Sequence, residues 1–230
     1  MKRIGILGGM SPESTIHYYQ LIVQSFIHQF GNHGYPEIVI FSVSFEKYIH
    51  WQEVGDWEAI GRELAKGAQI LENAGVDFIV IATNTMHKVV DEIQDAMNIP
   101  VLNLLDVVAE SILAKGITKT GLLGTRYTME DGFYAAGLAK HGIAVVVPDN
   151  KDRDLVHGVI YDELIKGVIL PSSKEEFRRI VNDLQQKGAQ GVVLGCTEIP
   201  MLIGDGDVSI PGFDTTQLHA EAALRFALLK

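Results

Sequence analysis

The sequence predicts an α/β fold built on parallel sheets, and three observations carry that prediction. Short apolar, β-branched runs alternate with longer helical patterns from end to end. Glycines close several of the helical stretches. Two short motifs recur, one in each half of the chain.

Taken in order, residues 4–7, 37–42, 78–81, 101–103, 121–123, 144–147 and 192–194 read as strands. Residues 57–74, 104–115, 130–141, 174–187 and 215–229 carry helix-type apolar spacing, with Gly75, Gly116, Gly142 and Gly188 at the ends of the first four. The first ten residues imitate an export signal, since Lys2 and Arg3 precede Ile4, Ile6 and Leu7. The apolar run is too short and is broken by glycines, so it reads as a first buried strand. No segment offers the roughly 20 consecutive apolar residues of a membrane span.

The recurring motifs set the strand ends apart from the rest. GILG at Gly5–Gly8 returns as GLLG at Gly121–Gly124, each time a strand running into a turn that opens a helix. A second echo aligns Leu71, Gly75, Val80 and Ile81, leading into Ala82-Thr83-Asn84-Thr85, with Leu184, Gly188, Val193 and Leu194, leading into Gly195-Cys196-Thr197-Glu198. Chance recurrence of glycine-bounded strands competes with duplication as the source of both echoes, and duplication is the preferred reading. If the halves are so related, Thr83 and Cys196 hold equivalent positions at the carboxyl ends of strands, where open α/β sheets bind ligands. Facing each other across an interdomain crevice, they would hold a small molecule between two side chains.

Composition narrows the classes of function. The 230 residues suffice for one large domain or two small ones, and a formal charge of −10 argues against nucleic acid, whose binding needs clustered Lys and Arg. A small anionic substrate stays compatible, because helix N-termini and one or two basic side chains make a site locally positive. A soluble, cytoplasmic protein is expected. Cys196 is the single cysteine, so no intramolecular disulfide forms and the residue is either a small core side chain or a reactive thiol. No metal-binding cluster of His, Cys and carboxylates and no phosphate-binding loop is visible.

GILGGMSPEST at Gly5–Thr15, ATNTMHKV at Ala82–Val89, LLGTRYTM at Leu122–Met129, LGCTEIP at Leu194–Pro200 and FDTTQLHA at Phe213–Ala220 together resemble the aspartate/glutamate racemase superfamily, and within it the aspartate racemase branch. The resemblance covers nearly the whole chain. It implies two pseudosymmetric α/β domains, each a parallel sheet flanked by helices, drawn at residues 1–100 plus 212–230 and at 101–211. It implies an active site in the cleft between them, a homodimer, and racemisation free of pyridoxal phosphate and metal. The family pattern places a cysteine before Asn-Thr in the first half and another before Thr-Glu in the second. Here the second is Cys196, while Thr83 stands at the first position.

That departure shapes the chemistry. A thiol is readily tuned to a thiolate base, whereas an alcohol is far too weakly acidic to ionise near neutrality. Thr83 therefore serves as proton donor or relay and needs a neighbour; Asn84, His87 or water are the local choices. By resemblance, Met10, Ser11, Gln52, Asn84, Thr85, Thr125, Thr197 and Glu198 bind substrate, with Glu198 and His219 orienting the base or the substrate ammonium. Lys47 and Lys166, with Lys174 behind them, are the candidates for the distal carboxylate. Simpler readings compete at each position: Thr83 as a helix cap, His87 as a packed imidazole, GILGGM as a plain tight turn. Two further functions stand beside the racemase, namely a one-sided, decarboxylase-like enzyme using Cys196 alone and a non-catalytic amino-acid sensor.

Overall fold

The computed structural model describes residues 1–204 and 206–229. The chain divides into two compact units, Met1–Leu104 with Thr216–Lys230, and Leu105–Thr215.

The first unit runs β1 (Ile4–Gly8), α1 (Pro12–Phe30), β2 (Ile38–Ser42), α2 (Glu46–Val54), α3 (Trp57–Asn73), β3 (Phe78–Ile81), a 3-10 turn (Thr85–Val89) and α4 (Val90–Asp95). Its sheet has the order β2-β1-β3, all parallel. Every residue of β1 and β3 is buried, which is why these strands read as unbroken apolar runs and not as alternating ones. Alternation appears instead in what each face touches. Leu7, Ile79 and Ile81 pack on Ile60, Leu64, Ala68 and Leu71 of α3. Ile4, Ile6, Phe78 and Val80 pack on Tyr18 and Ile22 of α1 and on Ala220, Ala223 and Ala227 of the C-terminal helix. The helix α3 starts where the Asp56 side chain accepts the Ala59 N–H at 3.0 Å, and it stops at Gly75, whose φ of 78° suits glycine.

The second unit runs α5 (Leu104–Ala114), β4 (Lys119–Gly124), α6 (Arg126–Glu130), α7 (Phe133–Ala139), β5 (Ala144–Val146), α8 (Asn150–Asp162), a 3-10 turn (Leu164–Lys166), α9 (Pro171–Gln186), β6 (Val192–Gly195), α10 (Ile199–Leu202) and β7 (Gly212–Asp214), with α11 (Thr215–Leu228) returning to the first unit. Its parallel sheet has the order β5-β4-β6-β7. Phe177, Ile180, Val181 and Leu184 form the buried face of α9, and Leu184 fills the space over Gly121, where a Cβ would lie 2.9 Å from its side chain.

Both units are thus parallel sheets flanked by helices. Three expectations are corrected. The helix read over 130–141 is shorter, Phe133–Ala139, because Gly132 with a φ of 75° separates it from α6, which ends at Glu130. The strand read at 101–103 shrinks to one bridge, Ile79 to Val101, which ties Val101 to the first sheet and not to the second domain. Residues 212–214, drawn into the first domain, pair with β6 and complete the second sheet. No helix among the described residues is long and apolar enough to cross a membrane.

Candidate active site

The two motifs that recur in the sequence end neighbouring strands. In the first sheet Leu7 pairs with Ile81, so the turn Gly8-Gly9-Met10-Ser11 and the loop Ala82-Thr83-Asn84 leave the same carboxyl edge side by side. In the second sheet Gly124 pairs with Gly195, which sets Thr125 beside Cys196. Glycine is required where the first turn folds back. A Cβ on Gly8 would sit 2.4 Å from Thr15 Cγ2, and Gly9 has a φ of 92° with Val43 O 2.4 Å from the place a Cβ would take. Thr15 Oγ1 accepts the Gly9 N–H at 2.8 Å and donates to Ser11 O at 2.9 Å, locking that turn. Ser11 then caps α1 by accepting the Ser14 N–H at 3.2 Å.

The Thr83 loop is held through its carbonyls. Ser14 Oγ donates to Ala82 O at 2.9 Å, and His87 Nδ1 donates to Thr83 O at 2.9 Å. Thr83 and Thr85 are half-buried, while Asn84 is buried. Asn84, not Thr83, stands at the N-cap of the 3-10 turn, and no side chain caps it, so the capping role read for Thr83 is not realised. His87 grips the carbonyl of Thr83, not its hydroxyl. Gln52, buried on α2, reaches this loop with its Nε2 3.9 Å from Met86 Sδ, and Met10 is buried in the same core cluster.

Cys196 is half-buried at the end of β6, and its thiol donates to Glu198 Oε2 at 2.9 Å. Thr197 Oγ1 donates to the same oxygen at 2.7 Å. Burial, and then the Glu198 carboxylate, push the thiol well above its ordinary range. Both effects favour the thiol over the thiolate. Thr125 heads α6, its carbonyl accepting the N–H groups of Thr128 and Met129 at 3.0 and 3.1 Å.

The structure adds two tyrosines that no local signal announced. The Tyr161 phenol is raised first by burial and then by Tyr127, Cys196 and Glu198, which places all four groups in one neighbourhood. Tyr161 stacks against His157 with ring centroids 4.6 Å apart, and His157 Nδ1 accepts the Arg126 N–H at 3.3 Å.

The three lysines are engaged elsewhere. Lys47 Nζ lies 2.8 Å from Glu63, Lys166 Nζ 3.5 Å from Asp162, and Lys174 Nζ 2.8 Å from Asp207. Hydrogen bonds from Lys47 and Lys66 hold the Glu63 carboxyl at about 2. His219 is fully buried in the first unit's core, bonded to Tyr18 and to Leu102 O.

Each unit thus carries a glycine turn at the carboxyl edge of a parallel sheet, with Thr83 on the neighbouring loop of the first sheet and Cys196 with Glu198 on that of the second. Residues 7–223 match the Asp/Glu/hydantoin racemase family, and the chain belongs to it, an enzyme of the amino-acid racemase class. It is similar to the broad specificity amino-acid racemase RacX of Bacillus subtilis, 25% identical with 96% of each protein covered. A crystal structure from Yersinia pestis, provisionally assigned as an Asp/Glu racemase, superposes with a TM-score of 0.95 at 46% identity over 100% of both chains. An aspartate racemase homologue from Pyrococcus horikoshii gives a TM-score of 0.89 at 38% identity over 99% of each.

Proposed function

We propose that the chain racemises an acidic amino acid, aspartate or glutamate, by cofactor-independent proton transfer on two faces of the α-carbon. The hydrogen bond from the Cys196 thiol to Glu198 carries this reading. Glu198 accepts the thiol proton and Cys196, now a thiolate, takes the α-proton. The Cα–H bond breaks as an S–H bond forms. Thr83 delivers its hydroxyl proton to the opposite face and regains one from water, while Glu198 returns its own to solvent, so protons balance over the cycle. Negative charge developing beside the substrate carboxylate needs donors, and Asn84, Thr85 and Thr197 are the side chains for it. Ser11, Met10, Gln52 and Thr125 complete the binding set. The lysines' carboxylate partners are partly exposed, so a distal carboxylate reaching Lys47 or Lys166 would have to displace Glu63 or Asp162. A reducing, cytoplasmic setting suits chemistry that depends on one free thiol.

The reading asks both loops to serve one substrate. It is tested by incubating the protein in D2O with each enantiomer of aspartate and glutamate, following mass and handedness together. Deuterium uptake with inversion is expected. Uptake without inversion would leave a one-sided enzyme acting through Cys196, and no uptake with any of the four would overturn the acidic-substrate reading.

A further inference from the structure

The Thr83 loop is supported from behind by a chain of buried polar side chains. Tyr18 on α1 is 1% exposed, His87 2% and His219 0%, so three polar side chains occupy the first unit's interior. Their roles follow from their partners. Leu102 O only accepts, so His219 Nε2 donates to it, at 2.8 Å. In the neutral ring Nδ1 is then an acceptor, and the Tyr18 hydroxyl donates to it at 2.9 Å. Thr83 O likewise only accepts, so His87 carries its proton on Nδ1. The His87 and His219 rings meet edge to face, with centroids 5.7 Å apart and planes at 71°, and Tyr18 meets His219 at 5.6 Å and 90°. The C-terminal helix, α1 and the 3-10 turn are thereby fixed to one another directly behind the Thr83 carbonyl.

Burying such groups costs desolvation that an apolar trio of the same size would avoid. What the polar chain gives in return is a single orientation, since each member's hydrogen bonds fix its ring and tautomer. An alcohol at the donor position has a particular need of this. A hydroxyl that is not ionised at rest gives up its proton only when aimed at the carbon as the transfer occurs.

Resting on the racemase reading above, we propose that His87, braced by His219 and Tyr18, is the positioning residue for Thr83, aiming its side chain through its backbone carbonyl. The test is the ratio of inversion to deuterium uptake with retention, measured in D2O from the enantiomer whose α-proton Cys196 removes. His87→Leu leaves the carbonyl without its donor and should lower inversion about 10- to 100-fold while retentive exchange on the Cys196 face persists. His87→Asn, whose amide nitrogen falls near the place of Nδ1, should restore the ratio. If His87→Leu does not accumulate folded, Tyr18→Phe reads the same ratio and should lower it by a few fold. Loss of both processes in parallel, or an unchanged ratio, would overturn the positioning role. Absence of exchange in the unmodified enzyme would instead remove the racemase reading and this inference with it.

Discussion

The Cys196 thiol and the Glu198 carboxylate, two residues apart at the end of β6, share one proton across 2.9 Å. The carboxylate opposes ionisation of the thiol by its charge and, in the proposed mechanism, permits it by accepting the proton. Glu198→Gln separates these effects. The charge is gone, so the thiol should titrate at lower pH than in the parent protein, read as thiolate ultraviolet absorbance from the single cysteine. The acceptor of the proton is also gone, so kcat/KM should fall about 10²- to 10⁴-fold. Equal free energies of the enantiomers require the fall to be the same in both directions. An unshifted thiol midpoint would mean that burial alone holds the proton.

Thr83→Ala should abolish inversion, by about 10²-fold or more, yet leave deuterium uptake with retention from one enantiomer. Thr83→Cys places a second thiol where the superfamily pattern has one, and inversion should survive in it. Inversion persisting in Thr83→Ala would assign the second face to another group.

His219 gives the first unit a defined acid sensitivity. Burial, then His87, lower it from 6.5 to about 3, so the folded chain refuses a proton that the unfolded chain accepts. The unfolded state then binds more protons across that window, and stability present above pH 6.5 is lost as pH falls toward 3. Between pH 7 and pH 4.5 the loss from this group should be about 2–3 kcal/mol. Urea unfolding of His219→Gln should show a flatter pH dependence over that range. The lowered carboxylates Glu63, Asp152 and Asp207 act further down and are common to both proteins. Parallel curves for the two proteins would refute this account.

Gly8→Ala should destabilise by about 1–3 kcal/mol, because Thr15 has to move from under the new Cβ and its bond to Gly9 moves with it. Thermal unfolding checks the first effect. Adding Thr15→Ser, which removes the Cγ2 nearest the new Cβ and keeps a hydroxyl, should recover part of the loss.

The sequence disclosed the strands that are buried on both faces, since β1, β3 and β6 leave unbroken apolar runs. It also disclosed the glycine turns, because Gly8 and Gly124 answer to close contacts with Thr15 and Thr128. It did not disclose β7, a three-residue strand beginning with glycine that exists only through its pairing with β6. Tyr127 and Tyr161 were invisible as neighbours of Cys196, for they come from α6 and α8 and only the fold assembles them. The partners of His219 were not legible, because a histidine in a motif looks the same whatever it bonds to in the folded chain.

A thiol that keeps its proton between turnovers is a poor target for oxidants, which attack the thiolate. If Cys196 is the base proposed above, the carboxylate beside it doubles as chemical armour. Peroxide should inactivate the protein slowly at neutral pH and faster as the medium becomes alkaline, and Glu198→Gln should lose that protection. An enzyme resting its chemistry on one irreplaceable sulfur atom would then carry its own defence two residues away.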